Sequence, residues 1–267
     1  MGTTEQALDW VRQHGVSERS FGGALEEFFK TQANRIARQA ENFHGLTPET
    51  ARILFHADEE HDRMMGIVRR NLWYLAMQAA EESLRPLTDS KSFTDEPWYK
   101  PDSYFGQVPD DVRQAVLAQM REMSEQPYWR RIQDEVFSDL TAVIEQGIAD
   151  EISLNALAKR IRFELGEQRG GKRARLIART ETTGALNAGH HAAMGHLAQS
   201  GILTGKEWAS LLDNDTRQSH VDLNGQQVSA GADFSVGGYA APFPGHWSLP
   251  AAERANCRCT VLSVLAV

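Results

Sequence analysis

Both cysteines of this 267-residue chain fall two positions apart in Asn256-Cys257-Arg258-Cys259, at the entrance to the run Thr260-Val261-Leu262, which reads as a buried strand. On a strand both thiols turn to one face, because side chains alternate with a period of two. Their Cα atoms then stand about 6.5–7 Å apart, at the upper limit for a disulfide, so a bridge within the pair is not expected. Two thiolates on one face could supply half of a tetrahedral zinc site, with His220 as third ligand and His246 as a conceivable fourth. A single C-x-C is weaker evidence for zinc than paired C-x-x-C knuckles. Packed thiols are the plainer reading, since free cysteine behaves as a small hydrophobe. The sequence thus requires no cofactor, and zinc at His220, Cys257 and Cys259 is the one candidate.

Some 35 residues upstream lies a second dense polar run, DNDTRQSHVDLNG, from Asp213 to Gly225. An Asp–His pair beside an arginine could activate water against a phosphate or a carbonyl, with Asp213 or Asp215, His220 and Arg217 in those roles. The structural alternative is that Asp and Asn cap turns while Arg217 bridges carboxylates. The structural network is preferred, because no G-x-S-x-G elbow, H-E-x-x-H pair or Walker loop accompanies the cluster. Thr204-Gly205-Lys206 lacks the flanking residues of a phosphate loop. Asp58-Glu59-Glu60-His61 gives one acid-x-x-His match where a di-iron bundle needs two, and reads as a solvated helix face.

The composition is that of an ordinary globular chain, 41% hydrophobic and 24% charged, with a formal net charge of −8 that argues against a dedicated nucleic-acid coat protein. No apolar run is long enough to span a membrane, and the amphipathic N-terminus carries no signal-peptide core. An intracellular product with reduced thiols is the expectation. Charge is uneven, however. Between Lys159 and Glu181 stand eight basic residues against three acidic ones. This stripe could meet phosphate, through Lys172, Arg173, Arg175 and Arg179 as a DNA-binding edge. The plainer reading is a helix face paired with neighbouring carboxylates.

The elements that must position these groups are mostly helices. Phe21, Leu25, Phe28, Phe29, Ala33, Ile36, Ala37, Ala40 and Phe43 recur at helical spacing. Thr47-Pro48 signals a helix start, and a second pattern runs from about Met64 to Leu84, where Arg85-Pro86 stops it. Pro86, Pro97, Pro101 and Pro109 mark residues 86–108 as a linker or arm. Helix returns at Pro109, again through Val136 to Ile148, and again after Ser153. A Gly170-Gly171 bend is expected before a long helix from Lys172 to about Gln199. Its small Ala185, Ala188, Ala192 and Ala193 invite close packing, while Glu181 and Asn187 interrupt that face. Beyond Gly201 the texture suits a small β-rich unit. The fold class is therefore α+β, predominantly helical. The expected organisation is a helical region 1–85, a Pro-rich arm 86–108 and a domain 109–267 with its core motif at 172–262.

The order IARTETTGALNAGH, Trp208, DNDTRQSHVDLNGQQV, Asp233-Phe234, Pro244-Gly245 and Asn256-Cys257-Arg258-Cys259 resembles the phage Mu F-like family of head-morphogenesis or minor capsid proteins of tailed bacteriophages. The signature polar cluster comprises Asp213, Asp215, Arg217, His220 and Asn256. His246-Trp247 departs from the family pattern, which more often carries an acidic residue and proline there. The resemblance implies a low-copy virion component inside the capsid, built in the host cytoplasm and acting at the portal vertex. Portal protein and capsid or scaffolding proteins are its implied partners, with double-stranded DNA at packaging or ejection and no membrane. Some members are fused to toxin domains. The eight residues after Cys259 leave no room for an effector, so a structural protein without turnover is the expectation. The competing class is a metal-dependent hydrolase or nuclease using His220, Asp215 and Cys257/Cys259.

Overall fold

A computed structural model of the chain describes residues 3–43, 46–84, 105 and 108–266. Helices dominate: α1 (Thr3–Glu41), the single turn α2 (Ala51–Leu54), α3 (Ala57–Leu84), α4 (Asp110–Ser124), α5 (Tyr128–Ala149), α6 (Leu154–Ile161) and α7 (Gly170–Gln199). Strand β1 (Leu203–Ala209), the short helix α8 (Gln218–Val221), strands β2 (Gln227–Ser229), β3 (Phe234–Val236) and β4 (Tyr239–Ala241), the short helix α9 (Ala251–Arg254) and strand β5 (Thr260–Leu265) follow. The chain is thus α+β and predominantly helical, as its periodicity implies. The expected arm at 86–108 lies outside the described residues except for Phe105 and Val108, both buried.

The chain divides into two compact units assembled from interleaved segments. One takes Arg19–Arg69 and Ser124–Ala178. Its core joins Phe21, Leu25, Phe29 and Ile36 of α1 with Met64 and Val68 of α3 and Val136, Leu140 and Ile144 of α5. Gln32 and Gln133 are buried together there, Gln32 Nε2 donating to Gln133 Oε1 at 2.8 Å, so neither amide is left unsatisfied. Ser153 caps α6 as its position predicts, its hydroxyl accepting from Ala156 N at 3.3 Å.

Two expectations are corrected in this unit. Gly170 and Gly171 do not bend the chain; Gly170 is helical at φ −60°, and a π-helical stretch (Arg162–Arg169) joins α6 to α7 without a break. The glycine serves close packing instead, since a Cβ at position 170 would stand 2.7 Å from Phe29 Cβ. Nor is Asp58–His61 a solvated face throughout. Asp58 and Glu59 are exposed, but Glu60 is buried between Arg35 and Arg63, with Arg35 Nε donating at 3.0 Å and Arg63 Nη1 at 2.6 Å.

The other unit takes Met1–Glu18, Arg70–Met123 and Arg179–Val267. Here α7 lies close against α3: a Cβ on Gly189 would fall 1.9 Å from Ala76 O, so the small-residue stripe does receive a neighbouring helix. Beyond α7, β1 is the centre of an antiparallel sheet ordered β2-β1-β5, with Trp208 opposite Val261 and Lys206 opposite Val228. Strands β3 and β4 form a separate hairpin, with Phe234 opposite Ala241. Its two-residue turn puts Gly237 at φ 56° and Gly238 at φ 87°, the primed geometry that matches strand twist and that glycine adopts without strain.

Candidate functional site

The two polar loops meet. Trp208 at the end of β1 is fully buried, its ring edge-on to His220 (5.4 Å between centroids) and to Phe234 (5.3 Å). After it, Ser210 organises the entry to the loop. Its hydroxyl receives Trp208 Nε1 at 3.1 Å and donates to His220 O at 2.9 Å, while its N–H donates to Asn224 Oδ1 at 2.8 Å. Asp213 Oδ1 accepts from Asp215 N (3.2 Å) and Thr216 Oγ1 (2.9 Å), an Asx-type turn that leads into α8. That one-turn helix aims His220 inward, only 2% exposed.

From the other side comes the Cys segment. It precedes β5, which begins only at Thr260, so the cysteines lie before the strand rather than on it. Both are nonetheless buried while Arg258 between them is not, as alternation requires. Asn256 enters the turn at φ 57°, a left-handed conformation that asparagine tolerates better than most residues. His220 Nδ1 then lies 3.4 Å from Cys259 Sγ and 3.7 Å from Cys257 Sγ. Across the ring, Nε2 stands 3.2 Å from Glu253 Oε2, too far off the N–H direction for a well-formed hydrogen bond. Ser219 Oγ donates to that same carboxylate oxygen at 2.7 Å.

Electrostatics divide the two thiols. Its hydrogen bond to Cys259, followed by burial, pushes the Cys257 thiol up. The same hydrogen bond, seen from Cys259, holds that thiol down against burial, helped by His220 and Ser210. Cys259 is therefore the better thiolate. At the mouth of the cluster, burial acts against the Asp213 carboxylate but Thr216 and Arg258 outweigh it and hold it below the usual range.

The structure brings together His220, Cys257 and Cys259, sets Asp215, Arg217 and Asn256 around the small cavity beside them, and leaves His246 elsewhere. His246 is not at the cluster; its Nδ1 faces Ser248 Oγ at 2.8 Å and its ring packs against Trp247. Among the described residues Arg217 bridges no carboxylates; it donates to Ala255 O at 2.5 Å and ties the two loops together. Arg258 does the bridging, reaching Asp213 at 2.7 Å and Asp215 at 3.9 Å. Neither aspartate meets His220. Asp215 is almost fully exposed, and the acid beside the imidazole is Glu253, which sequence reasoning missed.

Helix α7 clamps this assembly from beneath. Asn187, wholly buried, accepts at Oδ1 from Val261 N (3.0 Å) and Thr260 Oγ1 (3.1 Å). Its Nδ2 faces Thr183 O, Pro244 O and Cys259 O at 3.0, 3.1 and 3.0 Å. Thr183 Oγ1 donates to Cys257 O at 2.7 Å, and Thr180 Oγ1 accepts from Asn256 N at 3.0 Å. Glu181 pairs with Arg254, both side chains buried, and Arg254 Nε also donates to Gly245 O at 3.1 Å. The polar interruptions on α7 were the legible signal; their partners were not.

Of the proposed basic edge, Arg173 is mostly buried and paired with Asp139 at 3.0 Å and Glu135 at 3.7 Å, and its guanidinium lies over the Phe29 ring. Arg179 pairs with Glu18 at 3.3 Å. Lys172 and Arg175 are exposed.

Fold and site together define a predominantly helical α+β protein whose C-terminal loops are locked to one long helix around a buried Cys₂His cluster. Residues 138–262 match the family described as Phage Mu protein F like protein, so the resemblance carried by the Arg179–Glu181, Asp213–Gly225 and Asn256–Cys259 motifs is shown over that part of the chain. That family supports phage head morphogenesis, and with it a virion or assembly setting. Among curated proteins, the chain is 29% identical over 135 residues to the NAD(+)–arginine ADP-ribosyltransferase EFV of Enterococcus faecalis (strain ATCC 700802 / V583). The alignment covers 51% of this chain and 27% of that relative, so the chain spans about a quarter of its length. No solved structure matches. The expectation of a protein without turnover is corrected by this relative: sequence of this kind occurs in a chain named for an enzymatic activity. None of the described helices is long and apolar enough to cross a membrane.

Proposed function

We propose that the chain acts in phage head assembly at the portal vertex, inside the capsid, with portal protein and capsid or scaffolding proteins as partners. One observation carries this reading: the family match spans α7 and both polar loops, the parts that close into one cluster. Contact with DNA at packaging or ejection falls to Lys172 and Arg175, because Arg173 is committed to Asp139 and Glu135. The test is to tag the chain in a producing phage or prophage and purify heads with and without portal protein. A few copies per head, lost when portal is omitted, support the reading. Absence from purified heads, with head yield unchanged when the chain is deleted, would remove it. Charge reversal at Lys172 and Arg175 is expected to weaken DNA binding evenly across sequences and to flatten its salt dependence.

The enterococcal relative favours a second reading, transfer of ADP-ribose from NAD+ to arginine. Incubation with adenine-labelled NAD+ and an arginine acceptor decides it: arginine-linked label supports transfer, and an unlabelled acceptor beside a labelled positive control rejects it.

A further inference from the structure

We propose that His220, Cys257 and Cys259 bind one zinc ion through imidazole Nδ1 and both sulfurs, with the fourth coordination position facing the small cavity beside Asp215, Arg217 and Asn256.

Three observations converge on this assignment. The first is spacing. In a tetrahedral zinc site with Zn–S near 2.3 Å and Zn–N near 2.0–2.1 Å, ligand atoms stand about 3.5–3.8 Å apart. Nδ1 of His220 lies 3.4 and 3.7 Å from the two sulfurs, and the three ligand atoms all fall within 4.8 Å of one another. A set of two thiolates and an imidazole selects zinc over magnesium or calcium, which take oxygen ligands.

The second is what stands behind the ligands. An imidazole that ligates through one nitrogen commonly has its other nitrogen against a carboxylate, which fixes the ring and raises its basicity. Glu253 is the carboxylate beside that nitrogen, 3.2 Å from Nε2 but off the N–H direction, and is itself held by Ser219 Oγ. Ser210 Oγ lies 3.3 Å from Cys259 Sγ; its proton, donated to His220 O here, would turn to that sulfur once it is a metal-bound thiolate. Thiols packed merely as small hydrophobes would not need a polar partner on each side.

The third is access. The cluster opens on a cavity of about 10 Å³, room for about one water molecule, lined by Asp215, Thr216, Arg217 and Asn256 among others. Three protein ligands and one solvent position is the open form of zinc coordination rather than the closed form of four protein ligands.

The experiment uses the full chain without a metal-affinity tag, purified under reducing conditions, with zinc and free thiols counted together. About one zinc per chain is expected, with both thiols shielded from a thiol reagent until a chelator is added. Exchange with cobalt(II) is expected to give the strong visible bands of tetrahedral coordination and thiolate-to-cobalt charge transfer. Cys259→Ser should lose the charge-transfer intensity and most of the zinc. As that variant can fail to fold, Glu253→Gln provides a second arm. It keeps all three ligands and should weaken zinc about 10–100-fold in chelator competition, with its circular dichroism unchanged. Folded wild-type protein with two freely reactive thiols, no zinc after incubation with the ion and no cobalt bands would overturn the assignment. A Cys257–Cys259 disulfide that persists under mild reduction would overturn it as well.

Discussion

At the scale of single residues, a buried ion pair and a buried lysine make opposite predictions. Glu181 and Arg254 have side chains only 4% and 7% exposed and neutralise each other. Removing one partner takes the opposite charge away from a buried ion, so Arg254→Ala is expected to cost about 3–5 kcal/mol in urea unfolding. The double variant Glu181→Leu/Arg254→Met should recover most of that loss, since an apolar pair leaves no charge to desolvate. Lys206 is the contrary case. It is fully buried in β1, its Nζ has no hydrogen-bond partner among the described residues, and it lies over the Phe234 ring. Burial pulls its pKa down to about 8. Lys206→Met should therefore stabilise the protein by about 1–3 kcal/mol, read as a higher Tm at neutral pH. A lower Tm would show that the ammonium is held by something other than the aromatic ring.

At the scale of elements, α7 does two things along one length. Its Gly189 lets α3 approach to backbone contact, and Asn187, two residues earlier, reaches three carbonyls and the Val261 N–H and Thr260 hydroxyl of β5. Gly189→Ala forces a methyl into the Ala76 carbonyl, which packed helices cannot absorb without separating. The expected loss is about 3 kcal/mol, measured by chemical denaturation. Gly195 on the same helix has open space around it, so Gly195→Ala should be neutral or slightly stabilising and serves as the control. The small residues on α7 were legible as a packing stripe. That Asn187 clamps the Pro244 loop and the Cys segment was not, because these partners lie 57 to 74 positions away in sequence.

At the scale of the whole molecule, acid sensitivity should come from histidines held neutral. His190 accepts Trp10 Nε1–H at Nε2 (3.2 Å) and meets Ser83 Oγ at Nδ1, while Ser83 Oγ donates to Ala79 O at 2.9 Å. This relay suits the neutral ring protonated on Nδ1. Burial, then the nearby His14, lowers the His190 pKa to about 4; burial, then Lys206, does the same for His191. Between the unfolded value of 6.5 and about 4, the unfolded chain binds the protons and the folded one does not. Stability is thus present above pH 6.5 and falls as pH drops towards 4, by up to about 1.4 kcal/mol per pH unit for each histidine. Urea midpoints across that range check it, and His190→Gln should flatten the slope. A midpoint independent of pH there would refute the assignment of neutral rings.

Local information was enough for the helices, for the β-rich texture after Gly201, for the Ser153 cap and for the placing of chemistry in two short polar runs. Each of these depends on spacing within a few residues, where periodicity and capping act. It was also enough to join His220 to the cysteines as a candidate set, because few residue types could serve together. What it could not decide was set by contacts between distant segments. Whether Gly170 bends or packs depends on Phe29, 141 positions earlier. Whether Arg217 or Arg258 bridges the aspartates, and whether His220 meets Asp215 or Glu253, depends on how the Cys segment docks against α8. Those choices follow from long-range packing and desolvation, which balance only when the whole chain has closed.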